Sequence, residues 1–275
     1  MSFFTCPLLD RAVLSVTGED RHSFLQGLVS NNIDNRESQP ESGSGVFSLL
    51  LTPQGKVLYD FILWPQENRI LIDMAAENRD ELARKLGFYK LRANVAITPT
   101  DDVVTAFWHD DEDANKDAKI LPDGIPADPR HPALGGRLVG DEAQAAAYPA
   151  ITASLADYTA HRINQCVPQG QAEIPPDHAF PLEYGLHELN GIDFHKGCYI
   201  GQEVTSRSYR RGQVRKTLRR VQADALAPDA PVMADDRRVG EIRAIAGDTA
   251  LALLRVDSTE RADTLTVNGQ PLKVL

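Results

Sequence analysis

Nine consecutive residues hold the densest chemistry of the sequence: His195-Lys196-Gly197-Cys198-Tyr199-Ile200-Gly201-Gln202-Glu203. A thiol, Cys198, stands two residues after a lysine and between two glycines. Glycines at such positions let the backbone turn tightly and approach a ligand or another segment. Positive charge stabilises a thiolate over a thiol, so Cys198 is a candidate reactive or redox-sensitive cysteine. Spacing leaves a second reading open, a structural turn whose charges fan out into solvent. Glu203 and Arg207 are four apart and pair if this piece is helical.

The same segment opens a basic window. His195 to Arg220 contain eight Lys/Arg and one acid, Glu203, for a net +7. The 275-residue chain has 29 Lys plus Arg against 39 Asp plus Glu and a net charge of −10, so the rest of the chain carries −17. Eight cations with one acid repel one another without an anionic partner. A phosphate, a polyglutamate tail or an RNA backbone would relieve this; the bland alternative is a solvated strand and loop. Tyr209 alone is too little aromatic surface for base stacking. The acidic remainder argues against a general nucleic-acid coat.

Composition excludes other classes. With 42% hydrophobic and 25% charged residues, the chain is neither disordered nor fibrous. No apolar run approaches the length of a membrane-spanning helix. The start, MSFFTCPLLDR, lacks a basic n-region, and no secretory signal is expected. Three cysteines, Cys6, Cys166 and Cys198, without a CxxC pair argue against a disulfide framework or a structural zinc site. They point to a reducing cytoplasm. Cys6 and Cys166 read as small buried apolar residues.

The elements that must position Cys198 follow from periodicity. Ala12 to Val16 reads as a strand, and Thr17-x-x-Asp20 has capping-box spacing before a helix marked by Phe24, Leu25 and Leu28. Glu37 to Gly45 is a polar loop. Val46–Leu51, Val57–Trp64 and Arg69–Met74 read as hairpin strands, with a turn at Pro53-Gln54-Gly55. Asn78 to Tyr89 reads as a helix, and Val95–Ile97 and Val103–Trp108 as further strands. The order predicts an α+β unit with an antiparallel sheet. His109 to Pro132 is loop or sheet periphery, Ser154-x-x-Asp157 caps another helix, and Pro168 to Pro181 is a loop. From Thr217, short strands with turns at Asp235-Asp236, Gly247-Asp248 and Asn268-Gly269 predict a small β-barrel.

These residues also carry a resemblance. KGCYIGQE, Lys196 to Glu203, is similar to the signature of the YgfZ-type folate-binding proteins, relatives of the glycine cleavage aminomethyltransferase (T protein). Nearly the whole chain resembles that family: Gly18-x-Asp20-Arg21-x-x-Phe24-Leu25-Gln26-Gly27, Pro53-x-Gly55-Lys56-Val57, Tyr89-Lys90-Leu91-Arg92, Asp128-Pro129-Arg130, Gly136-Arg137, Tyr158, Arg162, Val167-Pro168 and Leu182-Glu183 occur in the expected order. The resemblance implies a three-lobed, aminomethyltransferase-like α+β fold. Residues 1–45 plus 141–216 would form a discontinuous first lobe, 46–140 a ferredoxin-like lobe and 217–275 the C-terminal barrel.

It further implies a ligand, tetrahydrofolate or a one-carbon derivative, and no metal. Cys198 and Lys196 would be the working pair, the lysine activating the thiol. Glu183 falls where the aminomethyltransferases have an acid on the pterin. Asp60, Tyr89, Arg92, Gln202, Glu203 and Arg207 complete the implied folate site. The aminomethyltransferases carry two adjacent acids after the Gly-Gly turn; here the pair reads Tyr59-Asp60, and the T protein has no counterpart of Cys198. Both departures favour an accessory factor without classical turnover, serving iron–sulfur cluster assembly or repair and the tRNA modification that depends on it. Its partners would be folate and iron–sulfur client proteins or assembly factors, with tRNA involved only indirectly, and no membrane. The alternatives are a folate-dependent aminomethyltransferase using Asp60 and a tRNA-binding module using the basic window.

Overall fold

The structure, a computed structural model, describes residues 3–34, 44–109, 121–212, 214–259 and 264–275. Most of the polar loop expected at Glu37–Gly45, and the acidic part of the segment after His109, lie outside these residues. Among them the strands form two sheets and a closed barrel, an α+β architecture as the pattern predicts.

The central sheet has the order β3-β4-β5-β2-β6, built from β2 (Arg11–Thr17), β3 (Val46–Leu51), β4 (Val57–Pro65), β5 (Arg69–Ala75) and β6 (Ala96–Thr100). All its pairs are antiparallel. β3 is buried at every position, because both faces of the sheet carry a core. The two-residue period of a strand divides its side chains: Phe47, Leu49 and Leu51 enter one core, Val46 and Leu50 the other. The second core is closed by α1 (Arg21–Gln26), through Phe24 and Leu25, and by α2 (Arg79–Tyr89), through Leu82 and Leu86.

A second sheet, β8-β7-β1-β9, combines β1 (Phe3–Pro7), β7 (Val103–His109), β8 (Gly136–Gly140) and β9 (Ile151–Thr152). Strand β2 pairs inside the central sheet, while the N-terminal strand β1 pairs with β7, and β7 in turn with β8. Short helices α3 (Glu142–Ala146), α4 (Leu155–Asn164) and α5 (Gly170–Glu173) follow, the last inside a segment expected to be loop.

After α6 (Gln202–Arg211) comes the barrel, built from β10 (Lys216–Gln222), β11 (Pro231–Ala234), β12 (Arg237–Ala246), β13 (Thr249–Arg255), β14 (Leu265–Val267) and β15 (Gln270–Val274) in the order β10-β13-β12-β11-β14-β15, with α7 (Val256–Thr259) after β13. In β13 (Thr249–Arg255), Ala250, Ala252 and Leu254 fill the barrel, while Leu251 and Leu253 face the large core shared with the central sheet. Asn268 and Gly269 take φ of 48° and 77°, the left-handed pair of a type I′ turn.

Local capping sorts the two expected boxes. Ser154 and Asp157 exchange bonds at the start of α4, Ser154 N–H to Asp157 Oδ2 at 2.8 Å and Asp157 N–H to Ser154 Oγ at 3.2 Å. The Thr17–Asp20 box does not form. Asp20 instead accepts from the Asn94 N–H at 2.7 Å, a long-range contact that outcompetes the local one.

Between the two sheets lies a buried ionic network. Asp73 accepts from Arg11 Nε and Arg137 Nη1, both at 2.7 Å. Asp128 accepts from Arg130 Nε at 2.9 Å and Nη2 at 2.7 Å, and Tyr158 Oη accepts from Arg130 at 3.0 Å and Arg137 at 2.6 Å. The neighbouring guanidinium groups hold both aspartates below the usual carboxylate range, overcoming the opposing effect of burial.

Candidate functional site

The segment around Cys198 is fixed on several sides. Asp193 Oδ1 accepts from the N–H groups of His195 and Lys196, at 2.7 and 3.2 Å, closing a tight turn. The buried Lys196 ammonium donates to three backbone carbonyls, of Gln26 (2.9 Å), Val29 (2.7 Å) and Asn31 (2.8 Å), at and just beyond the end of α1. Gln202 Nε2 donates to the Lys196 carbonyl at 3.1 Å. Gly201, at φ 82°, starts α6 (Gln202–Arg211); a Cβ there would lie 2.5 Å from the Thr52 carbonyl oxygen, so the backbone approach needs glycine.

This geometry gives Lys196 a place in the fold that its sequence neighbourhood does not announce. Its three N–H donors are all taken by carbonyls of another element, so it is a strut that ties the Cys198 loop to α1. Burial pushes its ammonium down to about 8, Asp193 and Asp34 opposing the shift. Cys198 is exposed, Cys166 is half-buried and Cys6 is buried. Burial raises the Cys6 thiol to about 11 and raises Cys166 as well.

The basic window does not converge on one point. Glu203 and Arg207 pair on the exposed face of α6, as their spacing predicts. Arg220 donates to the Asn164 carbonyl at 2.6 Å, beside Cys166. Arg215 and Lys216 act on Glu183, opposing the burial that raises its carboxyl. Glu183 opens into a groove of about 240 Å³ walled by Gly55, Phe180, Val204, Thr205, Ser208 and Arg215. The structure thus brings Glu183 together with α6, the helix that follows Cys198.

The other residues of the implied folate site do not line this groove. Asp60 is buried in β4, and both its oxygens accept from the Gly170 N–H, at 3.1 and 3.2 Å. Tyr89 and Arg92 sit at the end of α2 and beyond it, with Tyr89 packed on the core across the central sheet from the Glu183 side. Gln202 serves the loop, and Glu203 and Arg207 serve each other.

A larger cleft, about 570 Å³, adjoins the loop and was not expected from the sequence. Asn31, Phe47, Asn190, Asp193, Phe194 and His195 line it. Asn31 Nδ2 donates to the carbonyls of Phe47 (2.9 Å) and Asn190 (2.6 Å), and Asn190 takes a φ of 60°. Phe194 stacks on Tyr209 of α6 with ring centroids 3.9 Å apart. The polar-aromatic run Asn190-Gly191-Ile192-Asp193-Phe194-His195 just before the signature is the sequence signal that could have found it.

Comparison with known proteins places these features. The model of the CAF17 C-terminal β-barrel domain matches residues 215–275. The glycine cleavage system aminomethyltransferase T of Bartonella henselae superposes with a TM-score of 0.75 over 99% of this chain and 85% of its own, at 14% identity, which establishes the aminomethyltransferase-like fold. The mitochondrial iron–sulfur cluster assembly factor IBA57 of Homo sapiens is 33% identical over 91% of this chain and 77% of its own length. Its Mus musculus counterpart is 32% identical over 93% and 78%. The IBA57 homolog of Coccidioides immitis is 36% identical over 78% of this chain and 56% of its own length. The chain thus spans about half the length of the fungal relatives it matches. The expectation of a cytoplasmic protein is overturned, because these relatives are named as mitochondrial. Sparse reduced cysteines do not separate the two compartments. By identity and coverage with the mammalian proteins, the chain belongs to the IBA57 family of iron–sulfur cluster assembly factors.

Proposed function

We propose that the protein is an accessory factor of iron–sulfur cluster assembly, with Cys198 as the thiol that contacts the cluster in transit. One observation carries this reading: the exposed cysteine stands on a loop held by the Lys196 strut, the Asp193 turn and the Gly201–Thr52 backbone approach. An exposed sulfur on a fixed backbone can reach a cluster held by another protein without reorganising first. The step is a ligation. The thiol releases its proton to water, its sulfur donates an electron pair to iron, and the bond reverses on hand-over with no change of oxidation state. The iron–sulfur names of the relatives support the cargo.

A reduced folate of the YgfZ-type reading fits in part. Ligand pockets of roughly 300–1,000 Å³ hold a drug-sized molecule, so the 240 Å³ groove takes only the pterin head. There the Glu183 carboxylate would accept from the pterin amino and ring N–H groups, and Arg215 would meet the anionic tail. A reduced folate bound there supplies a one-carbon unit or reducing equivalents. Aminomethyl transfer needs a carboxylate turned to the ligand, and Asp60 is buried on the Gly170 amide. Direct tRNA binding is disfavoured by the dispersal of the basic window. A role in tRNA modification would run through the iron–sulfur enzymes that perform it.

The test replaces Cys198 with serine in cells and assays iron–sulfur enzymes, with tetrahydrofolate titrated onto purified protein in parallel. Loss of those activities with folate binding intact is expected. Unchanged activities would remove Cys198 from the mechanism, and no folate binding at millimolar concentration would remove the ligand alone.

A further inference from the structure

We propose that the C-terminal end of α2 is a docking surface for an acidic segment of a partner protein that also carries apolar side chains. The implied folate contacts at Tyr89 and Arg92 leave this region unexplained, since it lies across the central sheet from Glu183. Phe88 and Leu91 are 80% and 89% exposed. Leu91 takes a φ of 45°, a left-handed conformation that a branched side chain rarely adopts. Gly87 is exposed within the helix, and a Cβ built there meets nothing within 4 Å. Glycine weakens a helix interior, so an exposed position that would accept alanine is a second cost.

These features share one face, because Arg84, Gly87, Phe88 and Leu91 recur at helical spacing. Each weakens the free protein, and together they leave a shallow step beside two apolar knobs. Charge complementarity selects the occupant. Arg84 to Arg92 contains four cations and no acid. Lys85 is turned to the Tyr59 ring, 5.9 Å away, so Arg84, Lys90 and Arg92 frame the apolar pair. An acidic segment with its own apolar side chains satisfies both elements. A bilayer does not, because its extended anionic plane would also meet Glu81, Asp80 and Glu77, which continue the exposed stripe toward the start of α2, whereas a short segment can end at Arg84.

The experiment places a photo-crosslinking phenylalanine analogue at position 88 of the full chain in its host. The crosslinked polypeptide is identified and purified, and its affinity is measured against wild type and variants. A crosslinked segment rich in Asp and Glu is expected, with Phe88→Ser and Arg92→Glu each weakening binding about tenfold. Leu91→Gly should weaken binding while raising the melting temperature, since glycine relaxes the left-handed backbone. Crosslinks only to a second copy of this chain, only to lipid or to nothing would overturn the proposal. So would an affinity that Phe88→Ser leaves unchanged at an unaltered melting temperature.

Discussion

Two regions concentrate charge in this protein and treat it in opposite ways. Between the sheets, Arg11, Asp73, Asp128, Arg130 and Arg137 have side chains no more than 2% exposed, and each cation meets a carboxylate. From Arg207 to Arg220 the cations spread over α6, the Glu183 groove and β10, and the Glu203–Arg207 pair is 84% and 56% exposed. The sequence totals for the two regions say nothing of this difference. Burial turns a charge into an obligation to find a partner, whereas solvent lets it stand alone. The first region is therefore where the fold is vulnerable, and the second is where surface chemistry can change without unfolding the chain.

The largest effect follows from breaking the buried region. Asp73→Asn leaves Arg11 without a counter-charge and Arg137 with Asp128 alone while preserving shape, and the expected loss is about 3–5 kcal/mol of unfolding free energy. Urea unfolding measures it; a loss below about 1 kcal/mol would show that the network is not the tie between the sheets. The same pairs set the acid limit. Asp73 and Asp128 are depressed in the folded state, so their stabilising contribution is complete above the unfolded carboxylate value, near 4. It is lost as pH falls from there through the folded values. Stability of the wild type should hold from pH 7 to about 5 and fall steeply below about 4. Urea midpoints across that range check it, and the fall should be shallower in Asp73→Asn.

A smaller effect is expected where the exposed region meets the fold. Gly201→Ala pushes a methyl to 2.5 Å from the Thr52 carbonyl and strains a backbone at φ 82°. The loss should be about 1–3 kcal/mol, with faster hydrogen exchange in the loop from Lys196 to Gly201. Unchanged exchange would mean that Cys198 is held without this approach.

Much of this architecture was legible in the sequence. The short apolar run Val46–Leu51, bounded by turn residues, declared a strand, and the Asn268-Gly269 turn declared its hairpin, because these signals act within a few residues. The Ser154–Asp157 box was visible for the same reason. Strand β1, Phe3–Pro7, was missed, because its pairing with β7 is a long-range contact that five residues cannot announce. Asp128-Pro129-Arg130, Gly136-Arg137 and Tyr158 stood out only as family motifs. Their common purpose, one buried network, appears only when two sheets and α4 meet. At the site, Cys198 and the glycines were legible by residue type. The role of Lys196 was not, since its acceptors are backbone carbonyls, which every sequence supplies. Asp60 and Glu183 look alike as lone carboxylates. Only packing turns one onto the Gly170 amide and opens the other into a groove.

The smallest effect sharpens the contrast from the exposed side. Glu203 and Arg207 are an i, i+4 pair near the start of α6, and the acid also lies in the first turn, where the helix dipole favours negative charge. Glu203→Gln removes both contributions. Solvent around two side chains this exposed screens the attraction, and ordering them costs entropy, so an exposed pair contributes only about 0–1 kcal/mol. The expected change is about 0.5 kcal/mol or less, and it should shrink further as salt is raised. Urea unfolding at low and high ionic strength measures it. A loss above about 2 kcal/mol, or one indifferent to salt, would mean that the face of α6 is locked into the fold as firmly as the buried network. The division between the two charged regions would then fail.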